Sequence, residues 1–153
     1  AQLVNVIAPI ITRTGGGAWA QTIFYPNMHV TNFARGTALR PQVCSPAYDC
    51  ADYTDVPYID ATAALDDDGS VTIFAVNRSM EEDILLEADL RAFGELRMGG
   101  HILLHHDDVK AVNSEENPQN VAPVQGEGGT LEGGRLSVRL PRLSWNVLRL
   151  RHV

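Results

Sequence analysis

The sequence predicts a mainly-β chain, a β-sandwich entered through a short β/α leader, and three observations carry that reading. From Thr37 onward, apolar and polar residues alternate in short runs separated by turn residues, at the spacing of two-layer β folds. Within that region Asp68-Gly69, in "LDDDGSV", lies between two alternating runs and suits the positive φ of a tight hairpin. Ahead of it, "GGGAWAQTIFYPNMH", Gly15 to His29, passes from a glycine turn through a short apolar strand into a helical period.

The elements follow in order. Leu3, Ile7, Ile10 and Ile11 fall near one helical face, so the first residues read as the last turns of a helix that ends at Pro9. With Ala1 in the first position and no methionine, the chain reads as a piece of something longer. "GGGAWAQ" predicts a tight turn and a strand through Ala18 to Gln21. Thr22 is placed to cap a helix that carries Pro26 in its first turns, where a missing N–H costs little. Phe24 and Met28 share one face of that helix, Ile23, Val30 and Phe33 widen it, and Gly36 is the expected C-terminal cap. The boundary falls near "RGTALRP", dividing a leader, 1–36, from a β region, 37–153.

In the β region, strands are expected near Ala38–Cys44, Tyr58–Leu65, Val71–Asn77, Asp83–Leu90, Gly100–His105, Arg135–Leu140 and Trp145–Arg151. Val71, Ile73 and Ala75 lie on one face and Thr72, Phe74 and Val76 on the other; both are apolar enough for a central strand. The polar stretch from Asn113 to Gly134, rich in glycine and broken by Pro118 and Pro123, predicts a loop that closes the sandwich.

Composition narrows the function classes. A chain of 153 residues with 44% apolar residues can bury a core as one soluble domain. No apolar run approaches the ~20 residues of a membrane span and no basic flank marks a signal peptide, so no membrane or export role is expected. The net charge is −7 and the 12 basic residues form no dense block, which argues against nucleic acid as a partner. Cys44 and Cys50 are too few for a disulfide framework and read as free thiols, with a local bridge as the alternative in an exported protein.

Several side chains invite chemistry. In "HILLHHDD", His101 and His105 share one face of a strand and His106 and Asp108 the other, so three metal ligands do not converge without a sharp bend. His106, Asp107 and Asp108 read instead as the start of a turn. "LDDDGS" has the charge of a calcium loop but only part of its pattern, and reads as a hairpin. No metal and no cofactor is expected. The glutamates from Glu81 to Glu132 read as surface and turn residues, and Trp145 as a core residue rather than a sugar platform. Trp19 and Gln21 stand on and at the end of the solitary strand, the position from which strands of a (β/α)8 barrel deliver site residues. The competing role for Gln21 is to cap the following helix.

"AQLVNVIAPI", "GGGAWAQTIFYP", "VPYIDATA", "TIFAVNRS", "ENPQNVAP" and "LPRLSWNVLRL" closely resemble, in collinear order, the C-terminal part of α-L-arabinofuranosidases of glycoside hydrolase family 51. The resemblance implies a jelly-roll-like β-sandwich over 37–153, preceded in 1–36 by the last strand and helix of a catalytic (β/α)8 barrel. It implies a retaining hydrolase that removes terminal α-L-arabinofuranosyl groups from oligosaccharides, a homo-oligomer up to a hexamer, and a cytoplasmic location. Both catalytic glutamates would lie upstream of Ala1, so no residue of this chain is assigned a catalytic role and the chain alone should be inactive. Gln21 matches the family's glutamine that hydrogen-bonds the sugar, while Ala20 departs from a pattern that places a larger, often basic residue there. The alternatives of another class are a free-standing carbohydrate-binding sandwich, which requires a flat aromatic platform, and a purely structural module.

Overall fold

The computed structural model describes residues 4, 5 and 7–153. Strand β1 (Ile10–Thr12) and β2 (Ala18–Ala20) form an antiparallel pair across the glycine turn, and helix α1 (Phe24–Phe33) follows. Then come β3 (Thr37–Leu39), β4 (Ala47–Tyr48), β5 (Val56–Pro57), β6 (Ile59–Leu65), β7 (Val71–Asn77) and β8 (Ile84–Asp89). The chain continues through a 3-10 turn at Arg91–Phe93 into β9 (Leu96–His105), β10 (Val124–Gln125), β11 (Thr130–Glu132), β12 (Arg135–Leu140) and β13 (Ser144–His152).

The strands build the expected jelly-roll-like sandwich. One antiparallel sheet has the order β10-β9-β13-β7-β6-β3, the facing one β11-β12-β8, and β4 pairs with β5 beside them. Val71, Ile73 and Ala75 of β7 meet Leu148 and Leu150 of β13 and Leu136, Val138 and Leu140 of β12 in one buried cluster between the sheets. Those positions alternate along every strand, which is how period-two patterning turns into a two-layer core. β7 is central, as its two apolar faces predict, with β6 and β13 on either side. The β6–β7 connection is the Asp-Gly hairpin: Gly69 adopts φ 81°, and Asp66 N–H donates to the Ser70 carbonyl at 2.9 Å.

Several expectations change. Ile10 and Ile11 lie on a strand, not a helix; Asn5 N–H bonds the Ile10 carbonyl at 2.8 Å and Asn5 Oδ1 accepts from Thr12 N–H at 2.6 Å, folding the chain back before Pro9. Leu3 lies outside the described residues. The helix begins one residue late for a threonine cap: Ile23 occupies the cap position with no side-chain hydrogen bond, and at the other end the cap is Ala34 rather than Gly36. Gly36 serves the next turn, at φ 74° with Leu65 O only 2.3 Å from where a Cβ would stand. β3 stops at Leu39 because Pro41 has no N–H to give a ladder. β9 starts earlier than its glycines suggest, since Gly99-Gly100 sits at a register shift opposite Arg149 and Leu150, where a bulge absorbs the extra residue.

The outer face of the six-stranded sheet is apolar too, and α1 covers part of it. His29, 2% exposed, is the buried side chain of the helix, while Ile23 and Val30 of the expected apolar face are exposed. Trp145 accordingly packs outside the central core, stacked on Phe74 at 5.8 Å between centroids, with its indole N–H donated to His29 Nδ1 at 3.2 Å. Phe33 stacks on His29 and carries the Arg149 guanidinium over its ring at 4.3 Å.

Candidate functional site

Gln21 stands directly after β2, half-buried, where the main chain turns from strand to helix. Its N–H donates to the Pro9 carbonyl at 2.7 Å and its carbonyl accepts from Phe24 N–H at 3.0 Å, so the backbone is fixed on both sides. The side chain does not cap α1. Its Nε2 donates to the main-chain carbonyl of Asn113 at 3.2 Å, in the long polar loop of the sandwich. The same carbonyl accepts the indole N–H of Trp19 at 3.1 Å.

Asn113 is 2% exposed and uses its whole amide. Nδ2 donates to Ala20 O at 2.9 Å and to Val121 O at 3.0 Å, and Oδ1 accepts from Val121 N–H at 2.7 Å. Two residues on, Glu115 receives the Arg13 guanidinium and, at 3.2 Å, the Gly17 N–H. Glu116 has its carboxyl held below the ordinary range by its own backbone N–H and then by the Ser114 hydroxyl. The sequence reading missed Asn113 and Glu115: each meets the leader from about a hundred residues away, and in "VNSEENPQN" they look like ordinary loop polarity.

Beside Gln21 an open groove of about 490 Å³ starts at Thr22 and runs over Val76, Leu104, His105 and Trp145. A primary amide at such a place offers an acceptor in Oε1 and, with one N–H engaged by Asn113, a second N–H as donor. That pairing suits a sugar hydroxyl and carries no charge. It cannot by itself protonate a leaving group or attack a carbon, and Glu115, the carboxylate in contact with the leader, is already engaged.

The other candidates resolve into structure. His101, 1% exposed, meets Asn146 Oδ1 through Nε2 at 2.9 Å while Nδ1 accepts from Gly128 N–H at 3.3 Å, so both ring nitrogens are engaged inside the sandwich. His106 Nδ1 accepts from Asp108 N–H at 3.0 Å and Asp108 Oδ1 from Lys110 N–H at 2.8 Å, the expected turn. His105 approaches Asp107 at 3.6 Å. Among the described residues no group of three ligating side chains converges. Asp68 closes its hairpin by accepting Ser70 N–H at 2.9 Å, and that bond lowers its carboxyl below the ordinary value. Cys44 and Cys50 are exposed free thiols. Both tryptophans are engaged within the chain: Trp145 stacks on Phe74 and donates its N–H to His29, and Trp19 donates its N–H to Asn113 O.

Known proteins are similar to this chain along nearly its whole length. An intracellular exo-α-(1→5)-L-arabinofuranosidase of Halalkalibacterium halodurans is 48% identical over 98% of this chain and 30% of its own length. One of Bacillus subtilis is 46% identical over 99% of this chain, again 30% of its own. A solved structure of a family 51 α-L-arabinofuranosidase from Bifidobacterium longum superposes with a TM-score of 0.90 at 37% identity, covering 99% of this chain and 29% of that one. The chain thus spans about 30% of the length of the curated relatives it matches. Residues 1–144 match the family model of the α-L-arabinofuranosidase C-terminal domain, and the chain belongs to that family.

Proposed function

We propose that this chain is the C-terminal portion of a family 51 α-L-arabinofuranosidase that removes terminal α-L-arabinofuranosyl residues from oligosaccharides inside the cell. The observation that carries this reading is the half-buried Gln21 amide at the end of β2, in a chain that aligns with such enzymes throughout. Residues 1–36 would supply the last strand and helix of the catalytic barrel, and 37–153 the sandwich that supports it. Two glutamates upstream of this chain would run the double displacement, one attacking the anomeric carbon and the other protonating the leaving oxygen. Gln21 would hold a hydroxyl of the bound ring. The cytoplasmic location is supported by the intracellular naming of its relatives, and no helix of the described residues is long and apolar enough to cross a membrane. The assembled protein is read as a homo-oligomer, up to a hexamer, which sedimentation of the full-length polypeptide would test.

The full-length polypeptide should hydrolyse an aryl α-L-arabinofuranoside, and the 153-residue chain alone should not. Turnover by the purified chain, abolished on replacing one of its own glutamates, would overturn the assignment. In the full-length protein Gln21→Ala should lower kcat/KM roughly three- to hundred-fold, the equivalent of ~0.5 to 3 kcal/mol for a lost neutral hydrogen bond and its stranded partner. An unchanged kcat/KM would leave Gln21 with no role at the sugar.

A further inference from the structure

We propose that Asn113 is a positioning residue for the sugar site: through its main-chain carbonyl the sandwich orients the Gln21 amide so that Oε1 faces the substrate. The proposal rests on the reading of Gln21 as a sugar contact. A glutamine side chain rotates about three bonds, and its oxygen and nitrogen ends exchange places by a half-turn of the last one. Left free, it would lose that freedom on binding and would offer donor and acceptor in either sense. The 3.2 Å bond from Nε2 to Asn113 O removes the ambiguity. No described residue donates to Oε1, which is left to accept from a hydroxyl.

The carbonyl that does this is itself held. Asn113 O is aimed at Trp19 and Gln21 because the side chain of the same residue is locked at three points, to Ala20 O and to both main-chain groups of Val121. Two donors and one acceptor in one plane are what this pocket requires, and asparagine supplies them. Aspartate has the same shape but would set a carboxylate oxygen against the carbonyls of Ala20 and Val121, both of which are acceptors. The neighbouring bonds from Gly17 and Arg13 to Glu115 bind the same loop to the glycine turn, so the loop and β2 form one unit. An element of the sandwich thereby sets an angle in the sugar site, which a purely supportive domain would not do.

Two measurements test this, the first on the unaltered chain. One Nε2 proton of Gln21 should exchange with solvent about ten-fold more slowly than those of the exposed Gln42, as read by nitrogen-edited NMR, and Asn113→Asp should abolish the difference while the strand amides keep their shifts. Equal exchange in the unaltered chain overturns the proposal without any substitution. The second is a double-mutant cycle for aryl arabinofuranoside hydrolysis by the full-length polypeptide. Asn113→Asp should lower kcat/KM about ten-fold, and in a Gln21→Ala background it should lower it no further. Additive losses, or no loss from Asn113→Asp while Gln21→Ala is impaired, would reduce Asn113 to a structural residue and leave the sugar contact standing. Full activity of Gln21→Ala would instead remove the sugar contact, and the proposal with it.

Discussion

The leader and the sandwich are held by different physics. Between the sheets, leucine, isoleucine and valine from β7, β12 and β13 fill a common core with almost no exposure: Leu140 and Leu148 are at 0%. Among the described residues the leader has no such core. It is tied on by specific polar and aromatic contacts, Gln21 and Trp19 to Asn113, Gly17 and Arg13 to Glu115, His29 to Trp145, and Phe33 to Arg149. Burial of many side chains averages over small errors, whereas a handful of directed contacts does not. The sandwich should therefore respond to loss of volume and the leader to loss of a donor or acceptor.

The largest effect is expected from Leu148→Ala. Leu148 is fully buried in the cluster between the sheets, and truncating such a leucine costs about 2–5 kcal/mol through lost burial and the cavity left behind. Denaturant melts followed by far-ultraviolet dichroism would read it as a lower midpoint. Ile7→Ala in the leader, at a residue 76% exposed, should move that midpoint by about 0.5 kcal/mol or less. Equal effects from the two substitutions would break the contrast.

Trp145→Phe comes next and acts on the leader alone. It keeps the stack on Phe74 but deletes the N–H that satisfies His29 Nδ1, stranding an acceptor in a side chain 2% exposed. Such a loss is worth about 1–3 kcal/mol. Hydrogen exchange should show it as faster opening of α1, with β7 and β13 amides nearly unchanged. Uniform acceleration would mean that α1 and the sandwich unfold as one unit.

The same pair predicts a pH dependence. Burial pushes the His29 imidazole below its ordinary 6.5, so at neutral pH the folded ring is uncharged and free to accept from Trp145. Below about pH 6.5 the unfolded form binds a proton that the folded form refuses, so docking is fully stable above that pH and weakens as pH falls toward the lower folded value. Indole fluorescence and α1 exchange between pH 8 and pH 5 should follow this direction. A profile flat through that range would show that His29 does not set the docking energy.

This contrast also explains what could be read from the sequence. Val71–Asn77 and Arg135–Leu140 were legible to the residue because alternation and turn chemistry are local, and the Asp68-Gly69 hairpin announces itself. Where a helix was expected before Pro9, the described residues Val4, Asn5, Ile7 and Ala8 are not helical: an asparagine-to-threonine tie over seven residues outweighs an apolar spacing that suits a helix. The apolar face expected of α1 holds only in part, with Phe24, Met28 and Phe33 half-buried but Ile23 and Val30 exposed, for a related reason. A histidine became its buried residue only because Trp145, 116 positions away, supplies a donor. Gln21 was legible as a candidate through the resemblance, but Asn113 was not, because a loop asparagine carries no local mark of the strand it meets. Contacts between the two regions are the part of the fold that sequence period does not encode.

The smallest effect at a contact between the two regions is expected from Glu115→Gln, and it sharpens the comparison by separating charge from direction. The glutamine keeps an oxygen for the Gly17 N–H and gives up the attraction to Arg13. Arg13 is 67% exposed and Glu115 29%, so water screens the pair and holding two long side chains in register consumes much of the gain. The expected loss is about 0.2–1 kcal/mol, fading as salt is raised toward ~1 M, where the screening length falls to about 3 Å. Thermal melts of both forms at low and high salt would measure it. A loss above about 2 kcal/mol that survives high salt would mean that the carboxylate itself, and not the directed bond to Gly17, fastens the loop to the glycine turn; the leader would then be held by charge rather than by matched donors and acceptors.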